Sequence, residues 1–204
     1  FKMATTTKQT TLAAVNTIIS NIGQSPVTTL ESGNPLVEIA EGILHEISRA
    51  VQSEGWLFNT EYHYTFTPDA DGYIQMPTNA LQIDPKRMNR DFPQCVVRDG
   101  KLYDLANHTN VFTEDIELDV VWLFDFEDLP EPFKNYTTIR AANVFAGRSV
   151  GSAEAVRFGE REELLARSTA LEYDTQQGDY TIFADRDHNM TYNSYRPLDT
   201  LQRY

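Results

Sequence analysis

The stretch that most constrains this chain is NPLVEIAEGILHEISRAVQSEGWLF, Asn34 to Phe58. Leu36, Ile39, Ala40, Ile43, Leu44, Ile47, Ala50 and Val51 recur in steps of three and four, which predicts a helix with one apolar stripe. Asn34 is placed to cap its start, Pro35 suits the first helical position because its missing N–H is not needed there, and Gly55 supplies a left-handed stop. Burying each Leu, Ile or Val of such a stripe contributes on the order of 1.5 to 3 kcal/mol before conformational entropy is subtracted. The helix therefore requires a partner surface, and the segments on either side can supply one.

Before it, Leu12, Val15, Ile18, Ile19 and Ile22 have helical spacing, with Thr10 or Thr11 as cap, Gly23 as stop and Pro26 against simple continuation. Residues 24–33 connect the two helices, with Leu30 placed to plug the core, and Trp56, Leu57 and Phe58 should form a buried corner. From Glu61 the period becomes two: Tyr62, Tyr64 and Phe66 alternate with His63 and Thr65, predicting a strand. PDADG, Pro68 to Gly72, reads as a turn and Tyr73 to Met76 as the returning strand. Pro77, Pro85 and Pro93, with Lys86, Arg87 and Arg90, mark 77–94 as mostly loop. Asp99-Gly100 inside VVRDGKLY is a hairpin signal, and IELDVVWLF, Ile116 to Phe124, predicts a strand covered on both faces.

Helices resume after Phe126. Asp128 and Glu131 have capping-box spacing, Pro130 and Pro132 fit only a first turn, and Phe133, Tyr136, Ile139 or Arg140, Val144 and Phe145 carry the pattern to Gly147. Ser152 is a cap for a last helix whose inner face is marked by Val156, Leu164, Leu165 and Leu171, with Glu163 and Arg167 as an i,i+4 surface pair. After Gln177 the period is lost. The fold class is α+β: an antiparallel helical bundle formed by 1–58 and 126–177, an inserted antiparallel β unit over 59–125, and an extended C-terminal arm over 178–204. The arm holds Tyr180, Phe183, Arg186, Tyr192, Tyr195, Arg196, Arg203 and Tyr204. That aromatic and arginine content suits an interface better than a disordered tail, so these residues are the candidate subunit interface.

With 204 residues, 41% hydrophobic and 23% charged, the chain reads as one good-sized soluble domain or two small ones. No apolar run reaches the roughly 20 residues of a membrane span and no signal peptide is visible, so the expected place of synthesis and residence is the cytosol. Met3-Ala4 reads as a natural start, with Phe1 and Lys2 as additions. The lone Cys95 excludes an internal disulfide and reads as an apolar filler. A net charge of −13 argues against a surface that grips nucleic acid but suits one that lets DNA slide past; simple solubility is the plain alternative.

Chemical motifs are weak. Counted as calcium loops, the runs from Asp69 and Asp185 put Ile74 and Met190 where Gly is required and Ala80 and Arg196 where Glu is required, so both read as turns. GRSVGS, Gly147 to Ser152, lacks the phosphate-loop Lys and follows a helix. His45, His63, His108 and His188 are scattered, and only Glu41/His45 has metal-ligand spacing, on a polar helix side. Glu114-Asp115 and Asp125 to Asp128 could supply the two carboxylates of a glycosidase, which keeps a polysaccharide hydrolase as an alternative. No catalytic, metal or cofactor residue is assigned, and the chain is read as a non-enzyme.

Several collinear segments carry a family resemblance: AAVNTIISNIGQSPVTTLESG (Ala13 to Gly33), ILHEISRAVQSEGWLFN (Ile43 to Asn59), VVRDGKLYDLANHTNVF (Val96 to Phe112), FEDLPEPFKNYTTIRAANVF (Phe126 to Phe145) and ALEYDTQQGDYTIF (Ala170 to Phe183). The chain resembles the tail tubular protein A family, the adaptors or gatekeepers of short-tailed, podovirus-type phages. The resemblance implies a virion tail protein assembled in the host cytoplasm, in a ring of twelve copies. That ring would join the portal to the tail nozzle, tail tubular protein B, with tail fibres as a further partner, no cofactor and no membrane binding. DNA would pass through its lumen without sequence-specific contact.

Overall fold

A computed structural model describes residues 8–85, 94–149 and 153–178. They form, in order, α1 (Thr11–Ser20), α2 (Pro35–Gln52), β1 (Thr60–Phe66), β2 (Ala80–Pro85), β3 (Cys95–Arg98), β4 (Lys101–Asp104), β5 (Ile116–Trp122), α3 (Glu131–Ser149) and α4 (Ala153–Gln177). The chain is thus α+β, with helices at both ends and antiparallel strands between them. Arg186, Tyr192, Tyr195, Arg196, Arg203 and Tyr204, the calcium-like run from Asp185, Ser152 and Lys86, Arg87 and Arg90 lie outside the described residues.

The helices share one core, and α3 contacts each of the other three. Thr10 caps α1, its hydroxyl accepting from Ala13 N at 3.2 Å, and Asn34 caps α2, its carbonyl accepting from Leu36 N at 3.0 Å. α2 ends at Gln52, and Gly55 adopts φ +74° three residues on. Its buried face is Val37, Ala40, Ile43, Leu44, Ile47 and Val51. Ile39, 52% exposed, and Ala50 lie outside the stripe they were expected to join. Both sets satisfy helical spacing, and contact with α1 and α3 selects the one centred on Val37, Leu44 and Val51. Trp56 is buried at the corner, its indole N–H donating to Val51 O at 2.7 Å.

The strands differ more from expectation. β5 is the centre of a three-stranded sheet ordered β1-β5-β2, and both of its pairings are antiparallel. It buries Ile116, Leu118, Val120 and Trp122 and leaves Glu117, Asp119 and Val121 half-exposed, so one face is covered rather than two. β2 lies inside the stretch expected to be loop, where its prolines obscured the strand. Tyr73 to Met76 is not the return of β1. It runs along the β3–β4 hairpin instead, with Leu102 N donating to Ile74 O and Met76 N to Gly100 O, each at 2.9 Å. β1 is an edge strand, with Tyr62 and Tyr64 exposed and a bulge at His63 (φ +58°), whose N–H donates to Asp119 Oδ1 at 2.9 Å. The Asp99-Gly100 hairpin forms as expected, both residues at positive φ. Cys95 packs in the β core; burial first, and the Asp104 carboxylate second, push its thiol pKa to about 11, as befits a filler and not a nucleophile.

At the C-terminal side α3 runs two residues past Gly147. Glu131 turns its carboxylate to Gln9 N (3.3 Å) and Lys134 Nζ (3.2 Å) in place of the reciprocal bond of a capping box. α4 reverses its expected orientation: Leu164, Leu165 and Leu171 are 68%, 63% and 45% exposed, while Ala166 and Ala170 face the core.

Two buried amides join the helices to the sheet. Gln52 accepts from Phe124 N through Oε1 (2.8 Å) and donates through Nε2 to Phe124 O and Ser48 Oγ (3.0 Å each). Asn59 donates to Gln52 O (2.9 Å) and Trp122 O (2.8 Å) and accepts from Trp56 N (2.9 Å). Asn59→Ala strands a buried N–H and two carbonyls and should lower unfolding free energy by about 3 kcal/mol in urea titrations. A loss under about 0.5 kcal/mol would show that the joint does not hold the two parts together.

Candidate assembly surfaces

On its α4 side the seam between α3 and α4 is lined by small residues, the buried Ala166 and Ala170; on its α3 side Phe133 meets Tyr173 edge to face, and Tyr136, Arg140 and Asn143 bond to α4. Gly159 continues the seam: a Cβ there would collide with the Asn143 side chain. Ala166, Ala170 and Gly159 face α3 and the core, and the α4 leucines lie on the opposite side of the helix. The Ala-x-x-x-Ala spacing at 166 and 170 was the sequence signal for this, and it was masked by the larger hydrophobicity of the leucines.

Polar groups lock the seam at its edge. The Tyr136 hydroxyl, on a side chain only 1% exposed, accepts from Arg140 Nη1 (3.1 Å) and Arg167 Nη1 (3.0 Å). Arg167 also grips Glu54 with both terminal nitrogens, at 3.1 and 2.8 Å, and Arg140 reaches Glu54 (3.5 Å) and Glu163 (3.6 Å). Hydrogen bonds to Glu54 first, and then to Tyr136, raise the Arg167 pKa above its ordinary value. The expected Glu163–Arg167 surface pair is therefore replaced: Glu163 takes Arg140 and Asn143 Nδ2 (3.0 Å), and Arg167 ties α4 to the turn after α2. These groups line a cleft of about 540 Å³ that also touches Glu160 and Leu164. Glu54 and Glu163 are both engaged by arginines and serve to position them.

The other singled-out residues are dispersed. Glu127, from the acidic run after Asp125, accepts from the N–H and hydroxyl of Thr11 at 3.2 and 3.1 Å and so ties down the start of α1. Asp69 Oδ1 accepts from Asp71 N (3.0 Å) and Tyr73 N (2.8 Å), the bonding of a turn. His45 Nε2 sits 3.8 Å from Glu41 Oε1 on the solvent side of α2. Among the described residues no three His, Cys, Asp or Glu side chains converge, and no helix is long and apolar enough to cross a membrane. Tyr180 and Phe183, like the rest of the candidate arm, lie outside the described residues.

Two outcomes test the electrostatics of this surface. Tyr136→Phe removes one acceptor from two arginines and should cost about 1.5 kcal/mol in urea titrations. Hydrogen bonds from Arg148, at 2.8 and 2.9 Å, hold the Glu46 carboxyl below its ordinary pKa of 4.5. A depressed carboxyl pKa adds stability above the unfolded value, and that stability is lost as pH falls through the folded value. The melting-temperature difference between wild type and Arg148→Gln should therefore be present at pH 7 and vanish well below pH 4.5.

The chain is similar to known phage proteins along most of its length. The family described as tail tubular protein matches residues 12–180. Tail tubular protein A of Klebsiella phage KP34 is 32% identical over 156 residues, covering 74% of this chain and 80% of that protein. The match runs through both helical segments and the sheet between them, and on this ground the chain belongs to the tail tubular protein family, as a structural component of a phage virion tail.

Proposed function

We propose that this tail component is an adaptor: a ring of twelve copies that joins the portal to the tail nozzle and surrounds part of the DNA ejection channel. The observation that carries the reading is the similarity to a tail tubular protein A over three quarters of the chain. Two further features support it. The chain has one helical core and one β core, each with its own exposed surface, as a part that connects different neighbours requires. Its net charge of −13 suits a lumen that repels phosphates over about 8 Å at physiological salt and keeps DNA centred and moving.

In this reading 1–58 with 126–177 form the ring and dock on the portal, and 59–125 faces the nozzle and other outer tail parts, tail fibres included. Residues 178–204 embrace a neighbour or the portal through Tyr180, Phe183, Arg186, Tyr192, Tyr195, Arg196, Arg203 and Tyr204. The role is mechanical and electrostatic. The polysaccharide-hydrolase alternative, placed on Glu114-Asp115 and Asp125 to Asp128, draws no support from Glu127, which accepts from Thr11.

Light scattering after size exclusion, on the chain mixed with portal rings of the same phage, tests the proposal. The chain should move into the portal peak at about one copy per portal subunit; a chain that stays apart from intact portal rings overturns the adaptor role. Deleting 179–204 should leave a soluble, folded protein that no longer joins the portal, and unchanged binding would remove the arm from the interface.

A further inference from the structure

We infer that the exposed face of α4 in one copy packs, in parallel, on the outer face of α2 in the next copy. The inference rests on the ring reading above and specifies its contact.

The α4 face carries Leu164, Leu165 and Leu171, with Ser168 between them. Three leucines more than 40% exposed on one side of one helix are the mark of an interaction site. The outer face of α2 carries Ile39, 52% exposed, with Gly42 and Ala50 on the same side. Nothing lies within 4 Å of where a Cβ of Gly42 would stand, so the α2 surface is open beside Ile39, with Glu46, held by Arg148, one turn further on. One helix offers leucine knobs and the other an open glycine position.

Charge order selects the partner and the direction. Along α2, Glu38 and Arg49 are eleven residues apart; along α4, Arg161 and Glu172 are also eleven apart. Eleven residues are about three helical turns, so each pair lies on one side of its helix. All four side chains are exposed, and none forms an ion pair among the described residues. Parallel packing sets Glu38 against Arg161 and Arg49 against Glu172, with Leu165 over Gly42, Leu164 near Ile39 and Leu171 near Ala50. Antiparallel packing would set Arg49 against Arg161 and Glu38 against Glu172. Two copies that each carry −13 approach most easily where local charges cancel, which favours a second copy of this chain over another partner. The contact uses different faces on the two copies, so it is heterologous and closes into a ring when the rotation per copy allows.

The test uses assembled tails carrying Gly42→Cys with Leu165→Cys, or Ala50→Cys with Leu171→Cys as a second pair, treated with a short bismaleimide. Wild type, whose lone Cys95 is buried, is the control, and quantitative mass spectrometry counts copies per tail. A ladder of dimers, trimers and larger products from either pair supports the contact. Added to the cross-linking background, Glu38→Arg or Arg161→Glu should each lower the yield roughly five-fold, and the two together should restore it. Tails with many copies but no ladder from either pair overturn the contact and leave the ring reading intact. A single copy per tail overturns the ring reading and the contact with it.

Discussion

Two fully buried amides, Gln52 and Asn59, hold the molecule together. The sheet is inserted between helices, so the chain must leave the helical core and return to it, and both crossings expose backbone polar groups in a buried corner. Gln52 satisfies the N–H and C=O of Phe124, two residues past the end of β5, and Asn59 satisfies a carbonyl on each crossing. Buried polar groups left unpaired are costly, so this pairing specifies where the β unit sits on the end of α2. A two-residue shift in either segment would strand several of these groups at once.

The same logic of satisfaction runs along the α3–α4 seam. A phenol oxygen shared by two arginines, with Glu54 and Glu163 closing the circuit, ties α4 to α3 and to the turn after α2. Charge is used here for positioning, and partial exposure keeps each pair modest in energy. α4 turns its small residues Ala166 and Ala170 inward and leaves Leu164, Leu165 and Leu171 outside, while α3 buries Phe133, Tyr136 and Phe145. For an isolated chain an exposed row of leucines is a liability, and in the proposed ring it becomes a contact surface.

Much of this was legible residue by residue. Asn34, Pro35 and the periodic apolar run announce α2, and Thr10 announces α1, because caps and 3.6-residue periodicity are local properties. Asp99-Gly100 announces its hairpin for the same reason, since positive φ is a local demand. The partners of β1 and β5 were not legible: Thr60 pairs with Val121 across sixty residues, and nothing near Tyr62 points there. β2 was hidden by neighbouring prolines, although Pro85 ends a strand that pairs along one side only with β5. Arg167 found Glu54 and not Glu163 because tertiary geometry offered a better fork than its own helix.

By itself the sequence determined the helices and their caps, the tight turns, the acidic charge and the family, all of which rest on neighbours a few residues apart or on collinear likeness. Only the tertiary structure decided which side of each helix is inside. Ile39 and the leucines of α4 satisfy apolar spacing as well as Val37 or Ala166 does, and periodicity specifies a face without saying which of two faces a partner will cover. That choice depends on which side the neighbouring elements cover, and those neighbours come from distant parts of the chain. The leucines therefore read as core in sequence and stand as surface in the fold.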